Sequence, residues 1–174
     1  MIQIRQSVFE TNSSSSHSIV VQKDSSVKPP STHSDFAEFE DGILTLHRGN
    51  GFHWGWDVLT NWLDRFAYTM AEFGEDENTA QDILERVKRR IDADDVEIHL
   101  HDPWWANGEE VPDFGTIDHQ SQGTLMHFLS EKGIDELDFI FDDRYIVIID
   151  NDNNYGDRRV EFISKLDVED EYSY

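Results

Sequence analysis

The sequence predicts a single α+β domain with a mixed or mostly antiparallel sheet. Three observations carry that prediction. Strand-like runs gather towards the two ends of the chain, the two strongest helical patterns follow one another in its middle, and Asp41-Gly42 joins two short apolar runs as a hairpin. At 174 residues the chain has the length of one domain. That domain is expected over residues 1–166, with residues 167–174 as an acidic flexible tail lacking any apolar period.

Ile2 to Phe9 alternates apolar and polar residues, the pattern of a half-buried strand. Ser18 to Gln22, built on Ile19-Val20-Val21, reads as a second strand, and the polar stretch Glu10 to Ser18 as the shaped connection between them. Lys23 to Ser34, around Pro29-Pro30, is a loop. Phe36 to Glu40 and Ile43 to His47 then flank Asp41-Gly42, where a type I′ turn needs positive φ at both central residues. The clearest helix spans about 56–73: Leu59, Trp62, Leu63, Phe66, Ala67, Met70 and Phe73 recur at steps of three and four, and Gly74 stands at its end. A second helix runs over about 78–91, with Asn78 and Gln81 as a capping box, Ala80, Ile83, Leu84, Val87 and Ile91 as its stripe, and Arg86, Lys88, Arg89 and Arg90 towards its C-terminal dipole. Val96 to His101 alternates like a strand, Asp102 to Gln120 is a long loop, and a short helix covers about 124–132 before Gly133. Asp138 to Phe141, Tyr145 to Ile149 and Val160 to Leu166 read as strands. The second of these, apolar on both faces, has the character of a central strand.

Composition narrows the function. Asp and Glu number 37 against 14 Lys and Arg, a formal net charge of −23, which repels nucleic acid and anionic membranes. The acidity serves solubility, attracts a basic partner, or imitates the phosphate array of DNA. The absence of cysteine excludes disulfides, thiolate metal sites and a cysteine nucleophile. No window is long and apolar enough for a membrane span, and Met1 to Gln6 lacks the apolar core of a signal peptide, so a cytoplasmic protein is expected.

Several segments carry letters of functional chemistry. Asp150, Asp152 and Asn154, with Glu161 at the twelfth position, have the alternate-oxygen spacing of a divalent-cation loop, although the glycine comes one place late and both flanks read as strands. His99 and His101, two apart on a strand, project from one face as a pair of imidazole ligands should, with His47, His53, His119 or His127 to complete the set. Trp54, Trp56, Trp104 and Trp105 are candidate anchors for a protein partner, against the plainer account that aromatics fill a core. His47-Arg48-Gly49 resembles the Arg-Gly strand end of some ADP-ribosyltransferases, without that family's Ser-Thr-Ser strand or Glu-x-Glu turn. Glu10, Asn12, Ser13, Ser14, Ser15, Ser16 and His17 contain a nucleophile, a base and a carboxylate, but triads are assembled from distant segments, so a polar connection that caps backbone groups is the simpler expectation.

The segment Arg5-Gln6-Ser7-Val8-Phe9-Glu10-Thr11-Asn12-Ser13-Ser14-Ser15-Ser16-His17-Ser18 resembles the N-terminus of a group of proteins encoded by tailed bacteriophages and some bacteria. The resemblance covers about the first 20 residues. It implies a phage accessory protein acting in the host cytoplasm, and it carries no catalytic role. The expectation is therefore an acidic protein that binds a host or phage protein with a basic surface, by charge complementarity or nucleic-acid mimicry, without binding nucleic acid or membrane directly. The rival expectation is a metal-dependent hydrolase or group-transfer enzyme that uses Glu10 to His17 together with the histidine pair or the Asp150 loop.

Overall fold

The computed structural model describes residues 15–24, 33–47, 51–53, 55–102, 107–151 and 156–173; the expected first strand, Ile2 to Phe9, lies outside them. The elements run β1 (Ser15–Gln22), β2 (Ala37–Glu40), β3 (Ile43–Leu46), β4 (Gly51–Phe52), β5 (Asp57–Leu59), α1 (Trp62–Phe73), α2 (Glu77–Ile91), β6 (Asp95–Ile98), β7 (Thr116–Ile117), α3 (Thr124–Lys132), α4 (Glu136–Phe141), β8 (Tyr145–Asn151), α5 (Gly156–Ile163) and β9 (Val168–Ser173). The fold is α+β, as the segregated pattern predicts.

The main sheet has the order β5-β8-β1-β9 and is antiparallel throughout. Ile19 on β1 and Val147 and Ile149 on β8 face a large core built on α1, while Val20, Ile146 and Ile148 face a smaller one closed by Trp56, Phe162, Ile163 and Leu166. Both central strands are thus covered on each side, which is what the apolar run of Tyr145 to Ile149 requires. A second sheet, β2-β3-β6, joins an antiparallel hairpin to a parallel strand, and β4 pairs with β7 alone. The hairpin turns at Asp41 (φ 50°) and Gly42 (φ 82°), both positive as a type I′ turn demands.

Several boundaries differ from expectation for local reasons. The helix expected over 56–73 starts at Trp62, because Asn61 caps it by accepting the Asp64 N–H at 3.0 Å, and Asp57–Leu59 instead pairs with β8. Gly74 is indeed the C-cap but has ordinary helical φ; its value is space, since a Cβ there would stand 2.8 Å from the Phe114 side chain. The second helix is capped by Asp76, whose carboxylate accepts from Asn78 and Thr79, and not by an Asn78–Gln81 box. Asp138 to Phe141 belongs to helix α4, capped by Asp135, and Val160 to Leu166 falls on and just after α5. Both are apolar runs too short for period 2 and period 3.6 to be told apart. The expected acidic tail forms β9 over Val168–Ser173, where Tyr172 packs on the large core and Val168 on the smaller one while Glu169 and Glu171 stay exposed, as suits an edge strand. Strand β6 ends at Ile98, short of the expected His101.

Helix α1 holds the layers together. Residues 62–70 are all buried, polar ones included. Arg65 has no exposed surface: Nε donates to the Ile140 carbonyl at 2.9 Å, Nη1 to the carbonyls of Thr60 and Tyr145, and Nη2 to Asp143 at 3.0 Å. One guanidinium thereby ties α1 to the end of α4 and the start of β8, with each of its three nitrogens matched to an acceptor. Replacing Arg65 by Ala should lower the unfolding free energy by about 3–5 kcal/mol, since it strands three carbonyls and a carboxylate. Asp143→Asn should cost much less, because Asp143 is 30 % exposed. Urea denaturation of the two variants measures the difference, and equal losses would contradict the assignment.

Candidate functional site

The polar first half of β1 is inside the protein. Ser15, His17 and Ser18 are 3 %, 1 % and 0 % exposed. Strand alternation sends Ser15 and His17, with Ile19, towards α1 and α3, and Ser16 and Ser18 towards the α5 side. The connection expected over Glu10 to Ser18 is therefore a strand from Ser15 onward; Glu10, Asn12, Ser13 and Ser14 lie outside the described residues.

On the α1 side the strand meets a set of buried polar groups. The Ser121 hydroxyl donates to the Ser15 carbonyl at 3.0 Å, and the two hydroxyls are 3.5 Å apart. His17 Nδ1 lies 2.9 Å from the Tyr68 hydroxyl, with the rings tilted at a centroid distance of 5.6 Å. Burial pushes the His17 pKa down to about 4, against a raising effect of Asp118, and His53 lowers it further. The ring is thus neutral near pH 7. The fully buried Tyr68 hydroxyl has no other acceptor among the described hydrogen bonds, which assigns Nδ1 as the acceptor and the proton to Nε2; Nε2 has no partner among the described residues.

One turn along α1 stands Glu72, 4 % exposed, with neither carboxylate oxygen hydrogen-bonded among the described residues. Burial raises its pKa to about 7, and the backbone N–H groups of Gly123 and Met126 pull the other way without forming a bond. Those groups belong to the N-terminus of α3, whose cap residue Gly123 (φ 91°) supplies no side-chain cap. The Thr124 hydroxyl beside them is also buried and unpaired. Glu72 adds to the burial that holds the Tyr68 phenol protonated. A neutral imidazole and a carboxyl near 7, from opposite environments, are the raw material of an acid–base centre. Here both are sealed from solvent.

The remaining candidates are dispersed. His99 stacks on His47 at 6.3 Å, whereas His101 faces Asp113, so the two do not converge. Asp150 is buried on β8, Glu161 is on α5 and bonds Lys165, and Asp152 and Asn154 lie outside the described residues. Among the described residues no group of three or more His, Asp or Glu side chains is arranged to hold a metal ion. Trp56 is half-buried against Phe162; Trp54, Trp104, Trp105 and Arg48-Gly49 lie outside the described residues.

Tyr68, Glu72, Ser121 and Thr124 were not legible as site residues. Arg65, Tyr68, Thr69 and Glu72 form a polar stripe at helical spacing, which on sequence reads as a solvated face. No protein-family model matches the chain, and neither a curated protein nor a solved structure matches it.

The two shifted groups act on stability with opposite sign. His17 is protonated in the unfolded chain below its ordinary 6.5, so stability is lost as pH falls from there through about 4. Glu72 costs nothing below its ordinary 4.5, and stability is lost as pH rises from there through about 7. Over this window the two nearly cancel. Glu72→Gln removes one of them, so its stability advantage over the natural chain should grow from none near pH 4 to on the order of 3 kcal/mol near pH 8. Denaturant unfolding across that range tests it, and a pH-independent difference contradicts it.

Proposed function

We propose that this is an acidic binding protein, of the phage accessory kind implied by its N-terminal segment, whose partner presents a basic protein surface. The reading rests on one observation: the protein spends its cations on itself. Arg86 holds Asp135 and Glu136, Lys88 holds Asp95, Lys132 holds Asp170, Arg144 holds Asp142 and Arg159 holds Glu171. With 37 Asp and Glu against 14 Lys and Arg, the carboxylates outnumber the cations that could neutralise them. On the β2-β3-β6 sheet the register places Glu38, Glu40 and Glu97, with the Lys88-paired Asp95, on the face away from the core, an acidic platform. Such a surface steers a basic partner and excludes phosphate backbones. A partner that itself handles nucleic acid has the matching charge, so the protein acts on it as a mimic inside an infected bacterium. No helix is long and apolar enough to cross a membrane among the described residues.

The second reading, an enzyme working through His17, is favoured by the convergence of Ser15 and His17 with Tyr68 and Ser121 in one buried cluster. It requires that Nε2 reach solvent, so failure of His17 to react with an imidazole-modifying reagent in the folded protein counts against it.

Retention of a partner from bacterial lysate on the immobilised protein should fall by roughly tenfold or more between about 50 mM and 300 mM salt. The charge-reversed Glu40→Lys/Glu97→Lys variant should lose it at low salt. Salt-indifferent retention by both proteins would overturn the proposal.

A further inference from the structure

We infer that Glu72 is a proton-operated latch on α3: protonated, it lets the first turn of α3 close against α1 while His17 stays buried, and ionised, it releases that turn. Three geometric facts carry this. First, α3 begins at Gly123 without a side-chain cap, and Glu72 is the carboxyl standing at its first N–H groups. Second, both Glu72 oxygens and the Thr124 hydroxyl are buried without a hydrogen-bond partner among the described residues, so only the N–H dipoles at the start of α3 offset a charge in the closed contact between α1 and α3, and they do so in part. Third, the adjacent space is open. A cleft of about 260 Å³ is lined by Ala71 and Glu75, on either side of Glu72 along the chain, and by Gln122, immediately ahead of the α3 cap.

The titratable groups around the latch come from each neighbouring element. Tyr68 stands on α1 itself, with Glu75 in its next turn, and His17 comes from β1. Asp118 precedes α3 and His53 follows β4, both acting on His17, and the His127 ring lies over Gly123 within α3. Desolvation is the largest influence on Glu72, and the two backbone N–H groups oppose it only in part, which fixes the sign. The closed state holds its proton up to about pH 7, whereas a solvated Glu72 loses it near 4.5. Opening therefore becomes more frequent as pH rises between those values and levels off above them.

The inference does not depend on which partner the protein binds, nor on whether His17 does chemistry. It is tested by hydrogen exchange of backbone amides at pH 5 and pH 7.5, corrected for the intrinsic exchange rate. The amides of Met126 and His127 should lose roughly fiftyfold in protection over that interval, while amides in the middle of α2 keep theirs. In Glu72→Gln the loss at α3 should disappear. An unchanged α3, an equal loss in α2, or the same loss in Glu72→Gln would each overturn the latch. If the variant does not fold, as judged by circular dichroism, the contrast between α3 and α2 in the natural chain decides alone.

Discussion

Strand β1 is hydrogen-bonded on both edges, to β8 and to β9, and covered on both faces. Its first half is nonetheless serine and histidine. A strand in that position cannot turn its polar side chains to water, so each needs a partner inside or carries a desolvation cost. The surroundings of β1 follow from this constraint. Ser121 reaches back to the Ser15 backbone, and Tyr68 offers His17 its hydroxyl. The helices that carry those groups, α1 and the start of α3, are thereby fixed against the sheet by polar contacts as well as by Ile19 and Phe128.

Helix α1 answers the same constraint from the other side. Its apolar stripe packs the core in the usual way, while its polar stripe is buried too and is satisfied unevenly. Arg65 has an acceptor for each of its nitrogens; Glu72, two turns later, has no hydrogen-bond partner among the described residues. The contrast is between a group whose burial is compensated and one whose burial is not. The compensated one stabilises a three-element junction, whereas ionisation of the uncompensated one raises the free energy of the closed packing. A protein under no further demand would favour a leucine or glutamine at that place, which is why Glu72 reads as a working part and Arg65 as a structural one.

Much of this architecture was legible in the sequence. The Asp41-Gly42 turn, the apolar stripe of α1, the Thr124–Lys132 helix and the central character of Tyr145 to Ile149 follow from local rules that tertiary packing did not override. The misread elements share one cause: Asp138 to Phe141 and Val160 to Leu166 are short apolar runs in which an aspartate cap or a neighbouring sheet face decides the conformation. The site was half legible. His17 and Ser15 stood out as a dense polar string, but Tyr68 and Glu72 sit where a helix ordinarily meets water, and nothing in their spacing announces that α3 covers them. The histidine pair failed because strand β6 ends one residue before His99.

Two features of the molecule therefore stand apart in kind. The outer surface is a field of carboxylates, set by composition and by pairing of the cations within the fold. The interior holds a small, buried polar cluster set by the burial of β1. The claim that joins sequence motif to structure is that His17 is buried, neutral and bonded to Tyr68 through Nδ1. Nitrogen-15 chemical shifts of its imidazole across pH 4 to 8 test this most directly. The account predicts a neutral ring with the proton on Nε2, unchanged down to about pH 5. An imidazole that protonates near its ordinary value of 6.5, with both nitrogens moving together, would contradict it.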